Sequence, residues 1–116
     1  KNKKDYYIIE CKRIDGTETL NKAFVKEGIC RFAQEKYSSY NNENALLGFV
    51  IKDIDIISNT KKIDKIQKEQ ETIKVEKGFT LETRKDNYYL YSSLYRIKSG
   101  NIKLKSVFYN FSSIVK

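Results

Sequence analysis

The stretch that most constrains the fold is residues 6–13, with the sequence YYIIECKR. Aromatic and β-branched residues in a short run predict a buried strand. Because side chains alternate along a strand, Ile8, Glu10 and Lys12 are expected on one face and Cys11 on the other. Burying a carboxylate and an ammonium is costly unless each is paired or binds a metal. The charged end of this predicted strand is therefore where the sequence most strongly indicates a functional site.

The net charge of the chain favours some classes of binding partner over others. The 116 residues include 23 basic and 15 acidic side chains, for a net charge of +8. Such an excess favours nucleic acid first and an anionic membrane surface second, although a Lys-rich solvated surface gives the same count. No apolar run approaches the ~18 residues of a membrane span, so we expect no membrane partner. The chain contains no His, which excludes His-based nucleophilic and metal chemistry from its own residues.

The first residues of the chain and its two cysteines predict whether it is a fragment and in which compartment it lies. The chain has no Met and opens on Lys-Asn-Lys-Lys, so we expect a single domain over residues 1–116 that is a fragment, with part of the fold upstream. Cys11 and Cys30 fit no metal-binding spacing, and no secretory signal is visible. Both thiols are expected to be reduced and buried in the core of a cytoplasmic protein.

A helix and a second strand are predicted after the first strand. Apolar residues recur at helical spacing over residues 21–38, and Thr19 or Asn21 is expected to cap the helix start. The apolar run at residues 45–51 is too short for an independent helix and predicts a buried strand. Gly48 inside it indicates a close approach by a neighbouring group. Strand, helix and strand form a βαβ unit, which places the two strands parallel.

The rest of the chain changes character. We predict a helix at residues 55–70, short strands at 73–76 and 79–82, and a hairpin of strands at 88–97 and 102–111. No acidic residue follows Asp86, and the hairpin carries Arg96, Lys98, Lys103 and Lys105 among Tyr88, Tyr89, Tyr91, Tyr95 and Tyr109. This pattern fits a grip on a phosphate backbone, and equally a sheet face with a basic outside. Lys103 and Lys105 are the candidate nucleic-acid contacts here.

The Glu10-Cys11-Lys12 sequence, after its hydrophobic run and before a helix and a strand, resembles the PD-(D/E)XK nuclease superfamily. The resemblance covers residues 5–52 and implies a restriction-endonuclease-like α/β/α core. The segment 53–72 would supply the second helix, and the antiparallel strands of residues 73–116 would lie outside that core. The implied activity is that of a Mg²⁺-dependent DNA endonuclease that hydrolyses phosphodiester bonds.

The resemblance also implies roles for individual residues. Glu10 would bind Mg²⁺, with the Cys11 carbonyl as a second ligand, because hard cations take oxygen ligands. Lys12 would orient the attacking water and stabilise the charge that develops at phosphorus. The superfamily's metal-binding Asp belongs on a preceding strand, whereas Asp5, the only Asp before Glu10, is expected at the mouth of the same strand as Glu10 and cannot be that residue. Asp53 is the internal substitute, since it follows the parallel strand and emerges at the sheet edge where such sheets bind ligands.

The predicted helix start is the last candidate contact. Arg13, Thr19, Asn21 and Lys22 are expected near it, where free backbone N–H groups favour phosphate. Three alternatives stay open. Glu10 and Lys12 would form a structural ion pair in a non-catalytic DNA-binding or assembly module. The hairpin would serve as the edge of an oligomer, or the chain would form a homodimer.

Overall fold

The chain forms one five-stranded sheet with helices, in a computed structural model that describes residues 8–34, 43–98 and 100–114. The first strand and its helix are β1 (Ile8–Ile14), α1 (Glu18–Phe24), a π-helical segment (Val25–Ile29) and α2 (Cys30–Ala33). They are followed by β2 (Glu43–Val50), α3 (Ile56–Lys68), β3 (Lys74–Arg84), β4 (Tyr88–Ile97) and β5 (Gly100–Asn110). The α/β class predicted from the sequence is confirmed at this level.

The sheet is mixed, with the strand order β1-β2-β5-β4-β3. β1 and β2 pair in parallel, as the βαβ pattern predicted, and β2 pairs in parallel with β5. β4 pairs antiparallel with both β5 and β3, which confirms the predicted hairpin. Residues 73–116 were expected outside the core that the resemblance implies, and in the structure β5 lies within the sheet, where it pairs with β2 along the whole length of β2. The hairpin also has no free edge for an oligomer, since β3 and β2 flank it.

The helices lie against one face of the sheet. That face carries the buried residues of the central strands, including Leu46, Tyr91, Tyr95, Leu104 and Phe108. Their register with β2 places Glu10, Lys12 and Ile14 of β1 on this same face, toward the helices. The opposite face, which carries the alternate residues of each strand, is left uncovered by the described elements. The described fold therefore has two layers, one of helices and one of sheet.

The first helix begins earlier than predicted. Thr17 has extended backbone angles and its hydroxyl accepts the Leu20 N–H at 3.4 Å, so Thr17 is the N-cap. The prediction of Thr19 or Asn21 as the cap is wrong, because Asp15 accepts both the N–H and the hydroxyl of Thr17 and fixes the chain there. The helical residues continue through a π-helical segment to Ala33. The predicted end at residue 38 lies outside the described residues.

Two glycines mark close approaches onto β2. A Cβ added to Gly48 would lie 2.6 Å from Cδ1 of Phe108, which confirms the close approach predicted from the sequence. A Cβ on Gly28, in the π-helical segment, would lie 3.0 Å from Leu46. The helix and β5 can therefore pack tightly on β2 only because these two side chains are missing.

The second half follows the predictions except at β3 and at β5, which spans Gly100–Asn110 rather than the predicted residues 102–111. α3 starts after Asp55, whose carboxylate accepts the Ser58 N–H at 3.1 Å, and β4 spans the predicted residues. β3 is one strand rather than two short ones, with register shifts between Val75 and Thr83. These irregularities break the alternation that would have revealed a single strand in the sequence. No helix among the described residues is long and apolar enough to cross a membrane.

The two cysteines differ in environment. Cys30 is buried, as expected, and burial raises the pKa of its thiol. Cys11 is exposed, so its predicted burial is wrong. The reason is topological: β1 is an edge strand, and Cys11 points to the uncovered face of the sheet.

Candidate functional site

Glu10 and Lys12 share the helix-facing side of β1, as the sequence predicted. The Glu10 carboxylate lies 3.6 Å from the Arg31 guanidinium, and the Lys12 ammonium lies 3.7 Å from the Glu27 carboxylate. Their side chains are 23% and 20% exposed, respectively. Each charge of the motif therefore has a partner of opposite sign on the helix above it.

Glu10 and Lys12 lie within β1 rather than at its end. Glu10 pairs in register with Leu46, and β1 continues for four more residues to Ile14. The expectation that Glu10 and Lys12 end the strand is wrong, because Arg13 and Ile14 still pair with β2. Asp53 is exposed and follows the end of β2 by three residues.

Among the described residues, no group of three or more His, Cys, Asp or Glu side chains could hold a metal ion. The Cys11 carbonyl, predicted as the second ligand, would add one backbone oxygen beside Glu10, and Asp5 lies outside the described residues. Mg²⁺ requires several oxygen ligands, whereas the charged group 3.6 Å from the Glu10 carboxylate is the Arg31 guanidinium. The described residues therefore do not fit Mg²⁺ by themselves.

The residues predicted to contact phosphate at the helix start do not form one site either. Asn21 is 1% exposed, and its amide exchanges two hydrogen bonds with Asn59, of 2.8 and 3.0 Å. Its N–H donates to Thr17, so the assignment of Asn21 to a nucleic-acid site is wrong. The earlier helix start turns this residue toward α3. Thr19 and Lys22 are exposed on α1, where Lys22 pairs with Glu18 at 3.1 Å.

The uncovered sheet face carries a row of four aromatic rings. Tyr88 and Tyr109 have ring centroids 5.4 Å apart, Tyr109 and Phe111 5.9 Å, and Phe111 and Phe49 5.3 Å. The register explains the row, since Phe49 pairs with Tyr109 and Tyr109 with Tyr88 across three adjacent strands. All four residues are half-buried, so each ring is held by its neighbours and still reaches solvent. We refer to these residues as the aromatic row.

Basic side chains flank the aromatic row on the same face. Lys103 and Lys105 lie an even number of residues from Tyr109 along β5, so their side chains share its face of the sheet. Both are exposed. Arg13, on β1, is exposed and pairs in register with Phe49. A depression of about 250 Å³ lies on this side of the sheet, and its lining includes Lys77 and Lys103 together with Glu82. The uncovered face thus combines ring surfaces with positive charge.

Only part of this surface was visible in the sequence. Of the five tyrosines noted in the hairpin, Tyr91 and Tyr95 are buried against the helices, where Tyr91 accepts a hydrogen bond from Thr60 and Tyr95 donates one to Gln67. Burial raises the pKa of both phenols and keeps them neutral. Phe49 and Phe111 were missed as site residues. The alternation of apolar and basic residues from Ile102 to Lys105 was the signal that could have sorted the two faces of β5.

Within the described residues, the fold is that of a two-layer α/β protein in which one sheet face carries aromatic and basic side chains and no helix. The chain matches no family model, no curated protein and no solved structure.

Proposed function

We propose that this protein is a non-catalytic DNA-binding module that uses the uncovered face of its sheet. The observation that carries the proposal is the presence of Arg13, Lys103 and Lys105 on the same face as the aromatic row. Cations supply the sequence-independent affinity for a phosphate backbone, and aromatic rings supply surfaces for bases. The net charge of +8 acts in the same direction at longer range.

The charges around this face support the proposal. Two glutamates of β3 border it, and each is engaged: Glu82 accepts the Ser92 hydroxyl at 2.6 Å, and Glu76 pairs with Arg96 at 3.2 Å. Both lie toward the β3 edge of the sheet, away from Arg13. Glu43 of β2 pairs in register with Lys103, whereas Arg13 and Lys105 pair with Phe49 and Ala45 and carry exposed positive charge that attracts a polyanion.

The ion pairs on the opposite face support a structural role for Glu10 and Lys12. Each is less than a quarter exposed and lies against a helix that carries its counter-charge. Such pairs join β1 to the helix. A module of this kind is proposed to work in the cytoplasm, where its thiols stay reduced.

The experiment is a titration of fluorescent DNA with the protein at several salt concentrations. The double variant Lys103→Gln/Lys105→Gln is compared with the control Lys61→Gln/Lys62→Gln, which removes the same charge from exposed positions of α3. If the lysines of β5 contact phosphates, the slope of log affinity against log salt falls by about 1.4 to 1.8 in the first variant only, at about 0.7 to 0.9 per phosphate contact. Equal losses in both variants, or no binding by the wild type, contradict the proposal.

A Mg²⁺-dependent DNA endonuclease with a restriction-endonuclease-like α/β/α core is the second proposal. The observation that favours it is the position of Glu10 and Lys12, two residues apart on one side of β1. Its remaining acidic ligands would come from outside the described residues. Plasmid cleavage in MgCl₂ is then abolished by Glu10→Ala and by Lys12→Ala, while both variants stay folded. Cleavage that persists in both variants refutes it.

A further inference from the structure

We propose that the ligand of the uncovered face is single-stranded DNA, whose bases stack on the aromatic row of Phe49, Phe111, Tyr109 and Tyr88. This inference rests on the proposed DNA-binding function and specifies the form of DNA. It is carried by the geometry of the rings, by the surface they share with the cations, and by the packing of all described helices on the other face.

The rings form a pre-ordered platform. Their three successive centroid distances lie between 5.3 and 5.9 Å, and the Tyr109 and Phe111 rings are stacked with an interplanar angle of 24°. Three of the four rings belong to hydrogen-bonded strands, and Phe111 is anchored by its N–H to the Val50 carbonyl at 2.8 Å. Little side-chain freedom remains to be lost when a base stacks on them, which favours binding.

A single strand fits this platform better than a duplex does. Every base has a π face, but in a duplex those faces are stacked inside and only phosphates and groove edges are exposed. Reading a groove requires a helix or ribbon that projects into it. The described helices all pack on the other side of the sheet, so the uncovered face offers ring surfaces rather than a projecting element.

The cations are placed to follow the backbone of the same strand. Lys105 is four residues from Tyr109 along β5, or about 13 Å, and Lys103 is about 20 Å away. Lys103 borders the depression of about 250 Å³ that also has Lys77 in its lining. Arg13 lies beside Phe49 at the other side of the row. A strand of several nucleotides would span the rings and these charges together.

Charge distinguishes this ligand from a second copy of the protein. Leu47, Leu90 and Val107 form an apolar strip beside the aromatic row, and such a strip also suits a protein partner. Two copies, however, each carry a net charge of +8 and would bring their lysines together. A polyanion neutralises the same charges, so the face is complementary to DNA rather than to itself.

The test compares a fluorescein-labelled dT oligonucleotide with a duplex and an RNA of the same length. Tyr109→Leu and Phe111→Leu remove ring surface but keep an apolar side chain. Tyr89→Leu is the control, because Tyr89 lies on the same hairpin with the opposite parity and has the Arg84 guanidinium 5.2 Å from its ring centroid. Thermal melts confirm that each variant is folded. The chain contains no Trp, so quenching of its tyrosine fluorescence gives an independent readout of stacking.

We expect the wild type to bind the single-stranded DNA at least tenfold more tightly than the duplex. Tyr109→Leu and Phe111→Leu should each weaken binding about tenfold or more, since a lost base–ring stack has about that effect. Tyr89→Leu should leave the affinity unchanged.

Four results would overturn the inference. Equal affinity for duplex and single strand, with no effect of Tyr109→Leu while Lys103→Gln/Lys105→Gln still weakens binding, refutes stacking but leaves the DNA-binding function intact. Tighter binding to RNA refutes the choice of DNA. A dimer in light scattering that Tyr109→Leu dissociates assigns the face to a second copy. No binding to any nucleic acid refutes both the inference and the proposed function.

Discussion

The Glu10 carboxylate lies 3.6 Å from the Arg31 guanidinium, across the interface between β1 and the helix that follows it. The charge that stands out on an apolar strand in the sequence therefore has a counter-charge, supplied by a residue 21 positions later. Lys12 has the same relationship to Glu27, at 3.7 Å. These two contacts explain how the edge strand tolerates charged side chains on its helix-facing side.

The first prediction concerns the ion pair between Glu10 and Arg31. A double-mutant cycle of Glu10→Gln and Arg31→Gln should give a coupling of about 0.5–1 kcal/mol, because both side chains remain partly exposed and solvent screens them. Urea unfolding measures the coupling. DNA binding should not change, since both residues lie on the face opposite the aromatic row. A coupling near zero, together with lost DNA binding, would assign Glu10 to the ligand site instead.

Asp64 supplies a pH-dependent contact between α3 and β3. Burial alone would raise the pKa of this carboxyl, but hydrogen bonds from the Phe79 N–H and the Gln67 amide, with the Lys68 ammonium at 2.9 Å, outweigh it and lower the pKa. A group whose pKa is lower in the folded state stabilises the fold above its unfolded pKa. That contribution is lost as the pH falls through the folded value.

Asp64→Asn should therefore reduce the free energy of unfolding at pH 7 by about 1–2 kcal/mol, after allowance for partial exposure. The difference from the wild type should shrink as the pH falls below about 4, where the unfolded carboxyl also becomes protonated. Urea unfolding between pH 2.5 and 7 tests this. Asp86→Asn, at an exposed position, serves as the control. A difference that stays constant with pH would show that the charge of Asp64 does not contribute.

Gly48→Ala should destabilise the protein by about 1–3 kcal/mol, the usual cost of an overpacked site. The added Cβ would lie 2.6 Å from Cδ1 of Phe108 and 3.2 Å from Ile14, and the Phe108 ring is fully buried. Thermal unfolding measures the loss. In the double variant with Phe108→Leu, the two changes should cost less than their sum. Strict additivity would mean that the Phe108 ring is not what limits this position.

The Asn21 and Asn59 amides provide a fourth test, because they exchange two hydrogen bonds in a buried site. Asn21→Ala should cost about 1–3 kcal/mol, as it leaves the Asn59 amide without these partners. The double variant Asn21→Leu/Asn59→Leu should cost less than Asn21→Ala and Asn59→Ala added together. If the double change costs the full sum, the two amides act independently. Chemical denaturation at neutral pH measures the three variants and the wild type.

Sequence reasoning predicted what depends on local pattern. The ten residues of β4 were placed without error, since Tyr, Leu and Ile in a run have a strong preference for strand. The parallel pairing of β1 and β2 and the close approach at Gly48 were also predicted. All three follow from residue type and from the short connections within the chain.

Features that depend on contacts between residues far apart in the sequence could not be predicted. Asn21 looked like a polar residue at a helix start, and only the position of Asn59, 38 residues later, shows it to be buried. The aromatic row requires β5 to lie beside β2, which brings Phe111 to Phe49 across 62 positions. A charged residue on a strand likewise gives no sign of whether a helix will supply its partner, as Arg31 does for Glu10.

The measurement that tests the central claim most directly is NMR mapping of the amide shifts on addition of single-stranded DNA. The account predicts the largest changes at Phe49, Lys105, Tyr109 and Phe111, with little change along the exposed side of α3. Changes centred on Glu10, Lys12 and the facing helix, or no changes at saturating DNA, would contradict it.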